Sequence, residues 1–223
     1  MRIRVALVDD QELVRTGLAM VVDEAEDMTV VAEAGDGRQA VAALSRVVAD
    51  VVLMDIRMPG MDGIEATRRL VAGPASPKII ALTTFDLDEY AYAALRAGAS
   101  GFLLKDATAR SVLTAVRTVH AGDAVIAPST TRRMLDHLVR ARSDEPDEDA
   151  VAVLTGRERQ VLLEIAQGYP NAQIAARLYL SEATVKTHIG RILAKLNLPD
   201  RVQIVIFAYD HGLVRPNRNQ ATS

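Results

Sequence analysis

Two apolar runs in this chain stop abruptly at carboxylates. Ile3 to Val8 ends in Asp9-Asp10, and Val51-Val52-Leu53-Met54 ends in Asp55. Near-continuous apolar runs of this length read as strands buried on both faces of a parallel sheet. Open α/β sheets bind ligands outside the carboxyl ends of such strands, so the three carboxylates are expected to converge there. Oxygen ligands of this kind build hard-cation sites, and a cation offsets their mutual repulsion. Asp55 then reads as a metal ligand, a nucleophile, or both. As a phosphoryl acceptor, a known role for an aspartyl carboxylate, it needs three things. These are a divalent cation held by Asp10 and Asp55, a fixed positive charge on the phosphoryl group, and a hydroxyl donor to a phosphoryl oxygen. Lys105 ends the run Gly101-Phe102-Leu103-Leu104 and supplies the charge; Thr83 ends Ile79-Ile80-Ala81-Leu82 and supplies the hydroxyl. A polar residue that merely caps its strand accounts for any one of these five, and poorly for all five on one rim.

The elements that must hold this rim alternate. Strands are expected at 3–8, 29–34, 50–54, 78–83 and 100–104, and helices at 11–25, 36–47, 62–71, 87–97 and 108–120. In the first helix Val14, Leu18, Val21 and Val22 form one core-facing stripe. Five βα units in a row imply a doubly wound parallel sheet with helices on both faces. A further helix is expected within 128–142. Then Ser143-Asp144-Glu145-Pro146-Asp147-Glu148-Asp149 is acidic and interrupted by proline, and reads as a linker. The division expected is 1–120, a linker over 121–150, and a second domain over 151–223.

That second domain reads as four short helices without a strand. Thr155-Gly156-Arg157-Glu158 fits a capping box. Pro170-Asn171 opens a helix over 171–178, Tyr179-Leu180-Ser181 makes a tight turn, Ser181 caps a helix over 182–196, and Pro199-Asp200 caps the last. Two short helices joined by such a turn suggest a helix-turn-helix. On the 182–196 helix Val185, Ile189, Ile192, Leu193 and Leu196 form the buried stripe; Thr187, Gly190, Arg191 and Ala194 face outward, flanked by Lys186 and His188. This layout suits a helix in a DNA groove, with flanking donors on phosphates and central residues on base edges. Thr184, Lys186, Thr187, His188, Arg191 and Lys195 are the expected DNA contacts. The last helix has two apolar sides, Val202, Val205, Ile206 and Tyr209 on one and Ile204, Phe207 and Ala208 on the other. One of them is expected to be spare.

Charge agrees with this division. Residues 1–120 carry 13 Lys+Arg against 17 Asp+Glu, residues 121–150 carry 4 against 7, and residues 151–223 carry 9 against 5. A basic end on an acidic body suggests a polyanion as partner. The chain has no cysteine, which excludes disulfides, thiolate metal sites and thiol nucleophiles. No apolar stretch approaches the roughly 20 residues of a membrane span. The N-terminus has charges within its apolar segment and reads as a first strand rather than a signal peptide. The cytoplasm is the expected compartment, and no membrane contact is expected.

Residues 1–120 resemble the receiver domain of two-component response regulators. The resemblance rests on Asp9-Asp10, Asp55 followed by Met58-Pro59-Gly60-Met61-Asp62-Gly63, Thr83 and Lys105. It implies that Asp55 accepts phosphate from a sensor histidine kinase. Asp10 and Asp55 would bind Mg²⁺, helped by the Arg57 backbone carbonyl, with Asp9 acting through water. Thr83 and Phe102 would be the switch pair. Asp106 follows Lys105 where many receivers have proline with a cis peptide. In the C-terminal part, Leu154 to Glu158, Ile174 to Leu178 and Ser181 to Ile189 resemble the LuxR-type helix-turn-helix. With a receiver in front, the chain is similar to NarL/FixJ-family response regulators. The implied partners are double-stranded DNA promoter sites and, on phosphorylation, a second copy of the chain, with RNA polymerase as a further contact. The resemblance also implies that the spare face of the last helix pairs with that copy; docking on the receiver is the alternative. Pro170, Gln173 and Gly190 depart from the usual pattern.

Two rival functions follow from the same residues. Mg²⁺-dependent phosphohydrolases also use a strand-end aspartate, but place a second aspartate two residues on, where this chain has Arg57. A DNA-binding regulator that ignores phosphorylation would not need the acidic set. Arg57 and Phe85, two positions after Asp55 and Thr83, are large. Neither is a carboxylate or amide suited to orienting an attacking water, so slow autodephosphorylation is expected.

Overall fold

A computed structural model describes residues 2–73, 76–83, 88–122 and 147–214. Phe85 and the helix expected within 128–142 lie outside the described residues. The chain divides into two compact units, Met1–Ala127 and Pro128–Ser223.

The first unit alternates β1 (Ile3–Val8), α1 (Glu12–Asp23), β2 (Met28–Ala34), α2 (Gly37–Leu44), β3 (Val51–Asp55), α3 (Gly63–Val71), β4 (Lys78–Thr83), α4 (Asp88–Arg96), β5 (Gly101–Leu104) and α5 (Ala109–His120). All strand pairs are parallel, in the order β2-β1-β3-β4-β5. Every residue of β3 is buried, as its unbroken apolar run requires of a strand covered on both faces. Val5, Leu7, Val51, Leu53 and Ile80 form the centre of one core, against Val112, Val116 and Val119 of α5.

Helix starts follow local chemistry. Asp36, Asp62 and Thr108 each accept a hydrogen bond from the backbone N–H three residues on, satisfying one of the four donors that every helix leaves unpaired. The expected 36–47 helix ends early, at Leu44. The Ser45 hydroxyl donates to the Ala42 carbonyl, and Arg46 N–H donates to Ala43 O, only three residues back. Side-chain competition of this kind unwinds a last turn.

The second unit has a short 3₁₀ turn (Asp149–Val151), then α6 (Gly156–Ala166), α7 (Asn171–Leu178), α8 (Glu182–Leu196) and α9 (Arg201–Asp210). The capping box is present at Thr155 and Glu158, and Ser181 caps α8 through Thr184 N–H. Tyr179 ends α7 in the left-handed region, φ 55°, a position that favours glycine. Val161, Leu162, Ile165, Ile174, Val185, Ile192 and Ile204 make the core, with Ile189, Leu193 and Leu196 packed against it. On α9, Val202, Val205, Ile206 and Tyr209 of one expected side and Ile204 and Ala208 of the other are buried, and Phe207 is half-buried, so little of either side is left spare. The helix is enclosed from more than one direction, which a two-sided apolar pattern permits and a one-stripe reading misses.

Candidate functional site

The strand order reverses direction between β1 and β3, the crevice where doubly wound sheets bind ligands. Val8 lies opposite Met54 in that pair, so the residues that follow, Asp9 and Asp55, leave the sheet side by side. Carboxylate oxygens of Asp9, Asp10 and Asp55 lie within 4.8 Å of one another. Asp9 and Asp55 are buried and Asp10 is exposed. The α3 start closes the floor. Gly63 N–H donates to Ile56 O at 3.0 Å, and a Cβ at Gly63 would stand 2.0 Å from the Asp55 carbonyl oxygen. Glycine is required there by close approach.

Lys105 reaches this cluster from the end of β5. Its Nζ lies 2.7 Å from Asp9 Oδ2 and 2.9 Å from Asp55 Oδ2, with the lysine side chain 8% exposed. Lys105 N–H donates to Thr83 O at 2.7 Å, which ties the ends of β4 and β5 together. Asp55 Oδ1 accepts from Arg57 N–H at 3.2 Å, and Asp9 Oδ1 from Gln11 N–H at 2.9 Å. Burial pushes the Asp55 carboxyl above the usual carboxylate range, opposed by the Lys105 hydrogen bond. Burial works against the Lys105 charge too, but Asp55 and Asp9 outweigh it, and the lysine is held above its ordinary value. Three carboxylates facing one ammonium leave an excess of negative charge. Hard oxygen donors gathered with such an excess fit a divalent cation such as Mg²⁺. Asp9 Oδ2 is buried and has no aligned hydrogen-bond donor despite its ion pair, so its oxygen is not fully satisfied by protein alone.

The remaining sequence-derived residues fall around this centre. Thr83 is buried at the end of β4, and Phe102 is buried on β5 opposite Ala81. Asp9, expected to act through water, is in direct contact with Lys105. The Lys105–Asp106 peptide is trans, no cis bond occurring among the described residues. Arg57 is exposed, and an open pocket of about 420 Å³ is lined by Asp10, Arg57, Met58, Asp62 and Tyr90. Sequence reasoning missed Tyr90; its guanidinium partner, Arg57, sits 5.7 Å from the ring centroid, a relation with no local signal.

In the second unit α8 presents Lys186, Thr187, Gly190, Arg191 and Ala194 exposed, with Thr184 and His188 half-buried. Thr184 and Thr187 hydroxyls are engaged locally, with Ser181 Oγ and Ala183 O. Lys195, expected among the DNA contacts, is committed elsewhere. Its Nζ lies 2.7 Å from Glu158 Oε2, the oxygen that also accepts Thr155 N–H at 2.8 Å. Glu158 is 2% exposed, and the Lys195 hydrogen bond, then that of Thr155, lowers its carboxyl to about 2.

Comparison with known proteins agrees with this architecture. Residues 5–117 match the response regulator receiver domain family, and residues 152–208 match the bacterial regulatory proteins of the luxR family. The transcriptional regulatory protein YxjL of Bacillus subtilis is 42% identical over 96% of this chain and 98% of its own length. The response regulator VraR of Staphylococcus aureus is 36% identical over 96% of this chain and all of its own. Among solved structures, the response regulator ChrA of a heme-sensing two-component system is 38% identical, covering 96% of this chain and 99% of its own with a TM-score of 0.51.

Proposed function

The chain belongs to the two-component response regulators that join a receiver domain to a LuxR-type helix-turn-helix DNA-binding domain, and from that premise we propose a residue-level account of its switch. Asp55 is the phosphoacceptor. The observation that carries this is the meeting of Asp9, Asp10 and Asp55 at the β1/β3 crevice with Lys105 on Asp55. Asp10 and Asp55, with the Arg57 carbonyl, would hold Mg²⁺, and Asp9 would support them from behind. Bound there, the ion supplies charge neutralisation to the phosphoryl oxygens. Lys105 transfers from the free carboxylate to the phosphoryl group, and the Thr83 hydroxyl donates to another of its oxygens. Phosphorylation adds about two negative charges, and drawing Thr83 inward leaves room for the Phe102 ring. Such contacts need to bias a two-state equilibrium by only a few kcal/mol.

The phosphate comes from a sensor histidine kinase. The output is pairing of receivers and binding of paired helix-turn-helix units to double-stranded DNA, with Thr184, Lys186, Thr187, His188 and Arg191 at the groove. Lys195 is assigned to the domain's own scaffold. The division proposed is a receiver over 1–120, a linker over 121–150 and a DNA-binding domain over 151–223. The chain is a regulator rather than a turnover enzyme, since Arg57 stands where a hydrolase of this type places its general acid; it acts in the cytoplasm. The test is phosphorylation by a small-molecule phosphodonor with Mg²⁺, followed by intact mass. Wild type gains one phosphoryl group and Asp55→Asn none. Equal labelling of folded Asp55→Asn would overturn the assignment, and steady release of phosphate from a phosphomonoester would favour the hydrolase reading.

A further inference from the structure

Arg57 is anchored at both ends in different ways. Its backbone N–H donates to Asp55 Oδ1, so its place beside the acceptor is fixed. Its side chain is exposed and makes no ion pair among the described residues, although Asp10 and Asp62 line the same pocket. The guanidinium instead lies over the ring of Tyr90, from α4. A cation within about 6 Å of an aromatic centroid is attracted by the ring quadrupole, and a planar guanidinium is the cation best suited to that stacking. Tyr90 is 38% exposed, large for a ring retained only for packing.

We propose that Tyr90 is a positioning residue for the phosphoacceptor: its ring pins the Arg57 guanidinium across the pocket mouth and so prolongs the aspartyl phosphate. This rests on Asp55 being the acceptor. In hydrolysis a water oxygen forms a new bond to phosphorus as the bond from phosphorus to the Asp55 carboxylate oxygen breaks. The electron pair stays with the carboxylate, the water's proton passes to solvent, and inorganic phosphate leaves. Water must approach phosphorus opposite the breaking bond, from the open side of the pocket. A side chain pinned at the mouth obstructs that path and offers no carboxylate or amide to orient the nucleophile. Without the ring, a flexible guanidinium spends less time there.

The experiment is phosphorylation of the full chain by acetyl phosphate with Mg²⁺, removal of donor, and decay of the phosphoprotein on a phosphate-affinity gel. Tyr90→Ala shortens the half-life about two- to fivefold, the factor carried by one exposed cation–π contact. Tyr90→Phe keeps the ring and restores the wild-type half-life. Arg57→Ala shortens it similarly, and the double variant is no faster than either single. Beryllofluoride binding by each variant certifies a folded pocket. An unchanged half-life in folded Tyr90→Ala, or additive single effects, overturns the proposal. Absence of any Asp55-dependent label in wild type would instead overturn the phosphoacceptor reading.

Discussion

Replacing Lys195 by methionine separates two roles for a cation on the recognition helix. The methionine keeps most of the apolar stem and removes the charge from buried Glu158. A carboxyl lowered from 4.5 to about 2 corresponds, at about 1.4 kcal/mol per pKa unit, to roughly 3 kcal/mol of stability at neutral pH. Thr155 supplies part of this through its backbone N–H, and Lys195 is 37% exposed so that solvent screens its share; the variant should lose about 1–2 kcal/mol. The sign follows from the depressed value. The stabilisation is complete above the unfolded pKa near 4.5 and disappears as pH falls toward 2. Urea unfolding of the full chain, followed at amides of α6 and α8 by hydrogen exchange, should show the full deficit at about pH 7 and well under half of it at about pH 2. DNA binding supplies the second arm. A lysine on a phosphate contributes a counterion-release slope of about −0.9 in log K against log salt, and Lys195→Met should leave that slope unchanged. A deficit equal at both pH values, or a slope reduced by about one, would refute the scaffold role.

Other outcomes follow from single positions. Gly190 is helical and exposed, and a Cβ there would meet nothing within 4 Å; Gly190→Ala should raise the stability of the second unit by about 0.5–1 kcal/mol, read by thermal unfolding. Tyr179 carries φ 55° at the α7 C-terminus with its side chain exposed, and Tyr179→Gly should stabilise by up to about 1 kcal/mol in the same measurement. Mg²⁺ should raise the unfolding temperature of wild type in proportion to its occupancy, and should raise that of Asp55→Asn and Asp10→Asn much less.

The receiver was legible because its signals are local. Strand burial shows as unbroken apolar runs, and the strand-end rule places Asp9, Asp55, Thr83 and Lys105 on one rim without knowledge of side-chain positions. Ser181 and Thr155 announced helix starts in the same way, since each cap partner is three residues away. What the sequence hid is non-local. Glu158 and Lys195 are 37 residues apart, and the capping box alone gave no reason to withdraw the lysine from DNA. Arg57 and Tyr90 meet through tertiary packing, α4 lying against α3 and β5. The burial of most of both sides of α9 depends on how many neighbours surround it, which no helical wheel records. Leu44 ends α2 because a serine hydroxyl outcompetes the backbone, a balance of a few tenths of a kcal/mol.

The approach of α3 to the acceptor strand also shapes how this protein fails. Gly63 is eight residues from Asp55, yet the space for its side chain is already filled by the Asp55 carbonyl. Any larger residue must move either the helix or the end of β3, a strand buried along its whole length. Gly63→Ala should therefore yield chains that remain soluble and keep their helical signal but take up phosphate poorly. In a genetic screen such alleles would pass as signalling-dead rather than misfolded, and would map outside the acidic pocket. The glycine is where this molecule's tolerance for mutation and its capacity to signal part company.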